Sequence, residues 1–132
     1  MERYKHIRVE RHGDVFFVRL KHTRLEEPEI HQLGSELINL CEKHGCRKLA
    51  LSLGPEPPDC LYSVFLAKLV AVRNALRRHD GQLILCEVAP SAFHVFEACL
   101  LHREFTFAAD FTAACAAFEK TWPTKDDTLH PE

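Results

Sequence analysis

The chain has 132 residues, 46% of them apolar and 27% charged. That length holds one hydrophobic core and hardly two, and the composition is that of an ordinary globular domain rather than a disordered or collagen-like chain. Seventeen basic against nineteen acidic residues leave a net charge of −2, without the broad basic field that nucleic-acid binding needs.

No apolar run approaches the roughly 20 residues of a membrane-spanning helix. The start, Met1 to Lys5, is followed by no apolar stretch of the signal-peptide kind. The expected location is therefore the cytoplasm, where thiols stay reduced. Neither a nucleic acid nor a membrane is expected as a partner.

Along the chain, His6 to Glu10 alternates polar and apolar as a half-buried strand does. His12-Gly13-Asp14 is a turn signal, and Val15 to Leu20 is a nearly continuous β-prone run, so the two runs read as a hairpin. Pro28 suits a first helical turn, and Ile30, Leu33, Leu37 and Leu40 form one apolar stripe ending near His44, with Gly45 as the stop. Lys48 to Leu53 reads as a buried strand. The prolines at 55, 57 and 58 keep the next stretch irregular.

Phe65, Leu69, Val72 and Leu76 then mark a second amphipathic helix, ended by Asp80-Gly81. Gln82 to Val88 is the next strand. Ala89-Pro90-Ser91 opens a third helix through about Leu101, with Phe93, Phe96 and Leu100 on one face. Phe105-Thr106-Phe107 is a brief strand, and Asp110 suits the N-cap of a last helix carrying Phe111, Ala114, Cys115 and Phe118. Residues 1–120 form the expected domain. Residues 121–132, with two prolines and little to bury, are expected to be a loose tail. The order β-β-α-β-α-β-α-β-α predicts an α/β fold with a mostly parallel sheet and right-handed crossovers.

The six cysteines form no C-x-x-C pair and have no histidine at zinc-finger spacing, so no metal is expected. Cys86 and Cys99 lie in apolar settings and read as small buried hydrophobes, whereas Cys46 and Cys60 read as more exposed. His31 and His44 suit the polar face of the first helix. There is no glycine-rich phosphate loop, no G-x-S-x-G elbow and no H-E-x-x-H. Glu26-Glu27 is the one pair of adjacent loop carboxylates near a helix start, and solvated charge explains it. Neither an enzyme nor a cofactor is expected.

The informative junction is Cys60-Leu61-Tyr62-Ser63-Val64-Phe65-Leu66, where the proline-rich loop becomes the second helix. A hydroxyl at Ser63 can cap the first free N–H groups of that helix. If phosphorylated, it would place about −1.5 to −2 charges at a helix N-terminus, which favours anions. From spacing alone, a simple capping serine and a modification site both remain open.

Arg24 to Leu37 and Lys48 to Leu53 resemble the first half of STAS domains, the family of anti-sigma factor antagonists and related domains of sulfate transporters. Leu61-Tyr62-Ser63-Val64-Phe65-Leu66-Ala67-Lys68-Leu69 is similar to the family's segment around its phosphorylatable serine. Asp80 to Cys86, Val95-Phe96-Glu97 and Phe105-Thr106-Phe107 match later segments, so the resemblance covers about residues 5 to 120. It implies a STAS-like, SpoIIAA-like fold. It also implies a partner, an anti-sigma factor or serine kinase of the same pathway, and a phosphatase that reverses the modification.

By the same resemblance Ser63 is the phospho-acceptor. Glu26, Tyr62, Val64 and Lys68 are partner-binding positions, with Lys68 expected on the exposed side of the second helix. Tyr62 stands where the family usually has aspartate, and Val64 where a serine or threonine often follows. The preceding strand ends Leu51-Ser52-Leu53 without the frequent aspartate. Three readings follow: a phosphorylation-switched antagonist, an unswitched STAS-like scaffold in a signalling complex, and a small ligand-binding domain using the crevice at the strand ends.

Overall fold

In the computed structural model the protein is described over residues 4–59 and 63–127, with only the backbone course given for 120–127. Strands β1 (Ile7–His12) and β2 (Val15–Leu20) form an antiparallel hairpin. Gly13 takes φ 65° in its two-residue turn, a left-handed conformation that glycine adopts without a Cβ penalty. Helix α1 (Glu27–His44), strand β3 (Lys48–Ser52), helix α2 (Ser63–Arg78), strand β4 (Gln82–Cys86), helix α3 (Pro90–Ala98), strand β5 (Thr106–Ala108) and helix α4 (Phe111–Asp127) follow.

The five strands lie side by side in chain order, and β2 to β5 are parallel. Each parallel step moves the same way across the sheet. Right-handed crossovers must then deposit α1, α2 and α3 on one face. The packing shows this. Leu49 and Leu51 of β3, and Leu83 and Leu85 of β4, meet Ile30, Leu33 and Leu37 of α1, Phe65, Leu69 and Val72 of α2, and Phe96 of α3 in the main core. The alternate residues, Ala50, Ile84 and Cys86, point the other way with Val15. They are covered by Ala114 and Phe118 of α4. The C-terminal helix is thus the cover for a face that no crossover can reach.

Helix ends follow their local chemistry. Pro28 lies in the first turn of α1, the Glu29 carboxylate accepts the Glu26 N–H at 2.8 Å, and Gly45 ends the helix at φ 69°. Arg77 and Arg78 occupy the last turn of α2, where they complement the helix dipole. The left-handed residue after α2 is Asp80, at φ 61°, and the Gly81 N–H returns to the Leu76 carbonyl at 2.6 Å.

Several boundaries differ from the sequence expectation. Strand β4 stops at Cys86 rather than Val88 because Glu87 turns the chain at φ 57°. Helix α3 stops at Ala98 rather than near Leu101. Leu100 takes φ 60° and is 77% exposed, so it leaves the face that Phe96 buries. Helix α4 continues to Asp127, across seven residues expected to be a loose tail; 128–132 lie outside the described residues.

Candidate functional site

Ser63 is the first residue of α2 and is exposed. Its side chain makes no hydrogen bond to any described residue, so the hydroxyl is not consumed by capping within that set. The first turn of α2 holds no acidic residue, unlike that of α1, which holds Glu27 and Glu29. The free N–H groups and positive dipole end of α2 therefore have no side-chain carboxylate of their own turn beside Ser63. Tyr62, with Cys60 and Leu61, lies outside the described residues.

Two loops meet in front of this helix. The Asp59 N–H donates to the Thr23 carbonyl at 2.5 Å, and Arg24 reaches the Asp59 carboxylate at 3.4 Å. These contacts tie the loop from β2 to α1 against the proline-rich loop from β3 to α2. Glu26, exposed at the N-cap of α1, sits on the first of these loops; Ser63 follows the second. An open depression bordered by Lys21, His22, Thr23, Arg24 and Glu29 on one side and Glu56 of the proline-rich loop on the other lies where the two loops meet.

Two expected contact residues are less available than expected. Val64 is half-buried and packs against the main core. Lys68 is half-buried rather than on the outer side of α2. Its stem crosses α1 at Gly34, where an added Cβ would come within 2.9 Å of Lys68 Cδ. Gly34 lets the two helices lie close enough for the lysine stem to pack between them.

The sequence reading missed a polar node at the carboxyl ends of the strands. Ser52 is only 1% exposed. Its hydroxyl lies 2.5 Å from Glu87 Oε1 and accepts the Gly54 N–H at 3.2 Å. Glu87 Oε1 also takes Arg19 Nη1 at 2.8 Å, and the Arg19 guanidinium lies 4.7 Å from the Phe111 ring centroid. Four elements are pinned at the root of the loop that ends at Ser63. The available signal was the polar Ser52 directly after the apolar run Leu49-Ala50-Leu51.

The cysteines sort differently from expectation. Cys86 is buried as expected. Cys46, expected to be exposed, is buried beneath the C-terminus of α1, and burial pushes its thiol up to about 12. Cys99, expected to be buried, is exposed because α3 ends one residue before it. His31 is exposed as expected, while His44 is half-buried. Among the described residues no group of three or more His, Cys, Asp or Glu is placed to hold a metal ion. No described helix is long and apolar enough to cross a membrane.

No family model matches the chain. Individual proteins do. The chain is 36% identical over 92 residues to BtrV of Bordetella bronchiseptica, a protein named for anti-sigma factor antagonism; the match covers 70% of this chain and 77% of the relative. The structure of an anti-sigma-factor antagonist (STAS) domain protein from Planctomyces limnophilus superposes with a TM-score of 0.73 at 22% identity, covering 86% of this chain and 97% of that one. Phosphorylated SpoIIAA, a Bacillus cell fate determinant, gives a TM-score of 0.63 at 15% identity, covering 84% and 98%. The sequential mixed sheet, the three helices on one face and the BtrV match together make this chain a member of the STAS domain family, of the anti-sigma factor antagonist kind.

Proposed function

We propose that this protein is a cytoplasmic antagonist that binds an anti-sigma factor with serine-kinase activity, and that phosphorylation of Ser63 releases it. The observation that carries the reading is Ser63 itself: an exposed hydroxyl at the start of a 16-residue helix whose first turn has no acid. A phosphate there meets free N–H groups and the positive end of the helix dipole. SpoIIAA, which shares the fold, has been seen phosphorylated.

The partner surface in this reading combines the Glu26 loop, the Tyr62-Ser63 junction and the outward part of α2. The added charge falls on a surface that already holds the exposed Glu26 and Asp59. It therefore repels an acidic partner face and fills the space a neutral serine leaves. The ammonium of Lys68 remains able to meet a carboxylate of the partner. A phosphatase would restore the unmodified form.

The test is incubation with the cognate kinase and ATP, followed by mass mapping and partner titration. The expected result is phosphate on Ser63 alone, with Ser63→Glu weakening partner binding and Ser63→Ala retaining it. Phosphate elsewhere, or none, would overturn the switch. Binding that is indifferent to Ser63→Glu but lost on Tyr62→Ala would favour an unswitched scaffold.

A further inference from the structure

Strand β1 borders the sheet and, among the described residues, pairs only with β2. The phase of its hydrogen bonds is set by Lys21, whose N–H donates to the His6 carbonyl at 2.9 Å in continuation of the Ile7–Leu20 register. In an antiparallel ladder the bonding direction alternates along the strand. Arg8, Glu10 and His12 therefore turn their backbone groups toward β2, and Ile7, Val9 and Arg11 turn theirs to the open side.

The side chains on this edge are not balanced within the chain. Arg8 stands directly opposite Arg19, and like charges facing one another across a ladder are unfavourable. Arg19 is neutralised by Glu87 at 2.8 Å. Arg8 makes no ion pair with a described residue. Glu10, two residues on and 75% exposed, has among the described residues only the His12 ring, at 3.2 Å. Both side chains border a surface hollow of about 260 Å³ with Phe17, Arg19 and Phe111, so they share one face of the sheet.

We propose that β1 pairs with β1 of a second copy, antiparallel about Val9, to form a two-fold dimer with one continuous sheet. In this register the two Val9 residues exchange backbone bonds, and Ile7 exchanges with Arg11 on either side. All the outward backbone groups of the edge are then used. Arg8 of each copy faces Glu10 of the other as a non-hydrogen-bonded pair, the closer of the two cross-strand spacings. Sliding the second copy by two residues sets Arg8 against Arg8 or Glu10 against Glu10. The charges thus select one register, and a two-fold axis satisfies both pairs at once. The second copy supplies the carboxylate that Arg8 lacks at home.

Sedimentation equilibrium over a roughly hundredfold concentration range reads the association. The expected mass rises from 15.2 kDa toward twice that value, while amide exchange at Val9 and Arg11 slows with concentration in the unaltered protein. Arg8→Glu and Glu10→Arg each weaken the dimer by about tenfold or more, because each turns two attractive pairs into repulsive ones. The double exchange Arg8→Glu with Glu10→Arg restores affinity to within about threefold. An equimolar mixture of the two single variants forms a heterodimer. A protein that stays at 15.2 kDa throughout would overturn the proposal and leave the charges of β1 as guards against edge pairing. A dimer indifferent to both reversals, or single variants that do not pair when mixed, would overturn it as well.

Discussion

The Ser52 hydroxyl and the Glu87 carboxylate lie 2.5 Å apart, across the ends of β3 and the turn after β4. Ser52 is buried, Glu87 is anchored from outside by Arg19, and Gly54 passes so close that an added Cβ would stand 2.1 Å from the Glu87 carbonyl oxygen. Removing the carboxylate strands a buried hydroxyl on the weaker acceptor of the Gly54 carbonyl at 3.0 Å. Glu87→Ala is expected to cost about 1–3 kcal/mol in chemical denaturation. Glu87→Gln keeps an acceptor for Ser52 and loses only the partly exposed ion pair, so it should cost about 1 kcal/mol or less. Equal losses in the two variants would show that the ion pair, not the buried bond, sets the node. Gly54→Ala has no such graded outcome, since its Cβ meets backbone rather than a side chain that can swing away.

The contact of Gly34 with Lys68 predicts a coupling between two helices. Alanine is a better helix residue than glycine by roughly 1 kcal/mol, but its Cβ meets the Lys68 stem at 2.9 Å. In the Lys68→Ala background, Gly34→Ala should stabilise the fold by about 0.5–1 kcal/mol, and in the native background by less. A double-mutant cycle by urea unfolding measures the difference. Gly34→Leu should destabilise in both backgrounds, because no rearrangement of one lysine makes room for it.

Thiol reactivity separates the cysteines. Burial pushes the thiols of Cys46 and Cys86 up to about 12 from an ordinary 9.0, so at pH 8 their thiolate is about a thousandfold scarcer than for an ordinary thiol. Cys99 is exposed. Iodoacetamide should label Cys99 in the folded protein while Cys46 and Cys86 stay unmodified until denaturant is added. The same raised values carry a sign for stability. The folded state holds these protons more tightly than the unfolded state, so the contribution is complete below pH 9 and is lost as pH rises toward 12. Rapid labelling of Cys46 in the native protein would show that the C-terminus of α1 opens.

Lys48 lies 2.9 Å from Asp14 and holds its carboxyl below its ordinary 3.8, chiefly through their hydrogen bond. A depressed folded value means that the contribution is present above the ordinary value and disappears as pH falls through the lower one. Asp14→Asn should therefore lower the neutral plateau slightly and flatten the acid limb by the same small amount, since the carboxylate is largely exposed, with the two proteins converging at low pH. Urea midpoints from about pH 5 to about pH 2 test this.

Much of the architecture was legible in residue order alone. Apolar residues at three- and four-residue steps in α1 and α2, and continuous apolar runs in β2, β3 and β4, are local signals read within one turn or one strand. So were the turn at Gly13, the stop at Gly45 and the helix start at Ser63. Boundaries failed where one residue took a left-handed conformation that its type does not announce, as Glu87 and Leu100 do.

The order and kind of the elements and the placing of Ser63 at a helix start follow from neighbours a few residues apart, so they are already written in the chain. Which partners distant residues meet was set by the folded arrangement. It put Lys68 across Gly34, Ser52 against Glu87 thirty-five residues away, and Cys46 inside while turning Cys99 out. It also left β1 with an open edge and Arg8 facing Arg19. Burial, ion pairing and unmatched charge arise from contacts between elements, and spacing along one element carries no record of them.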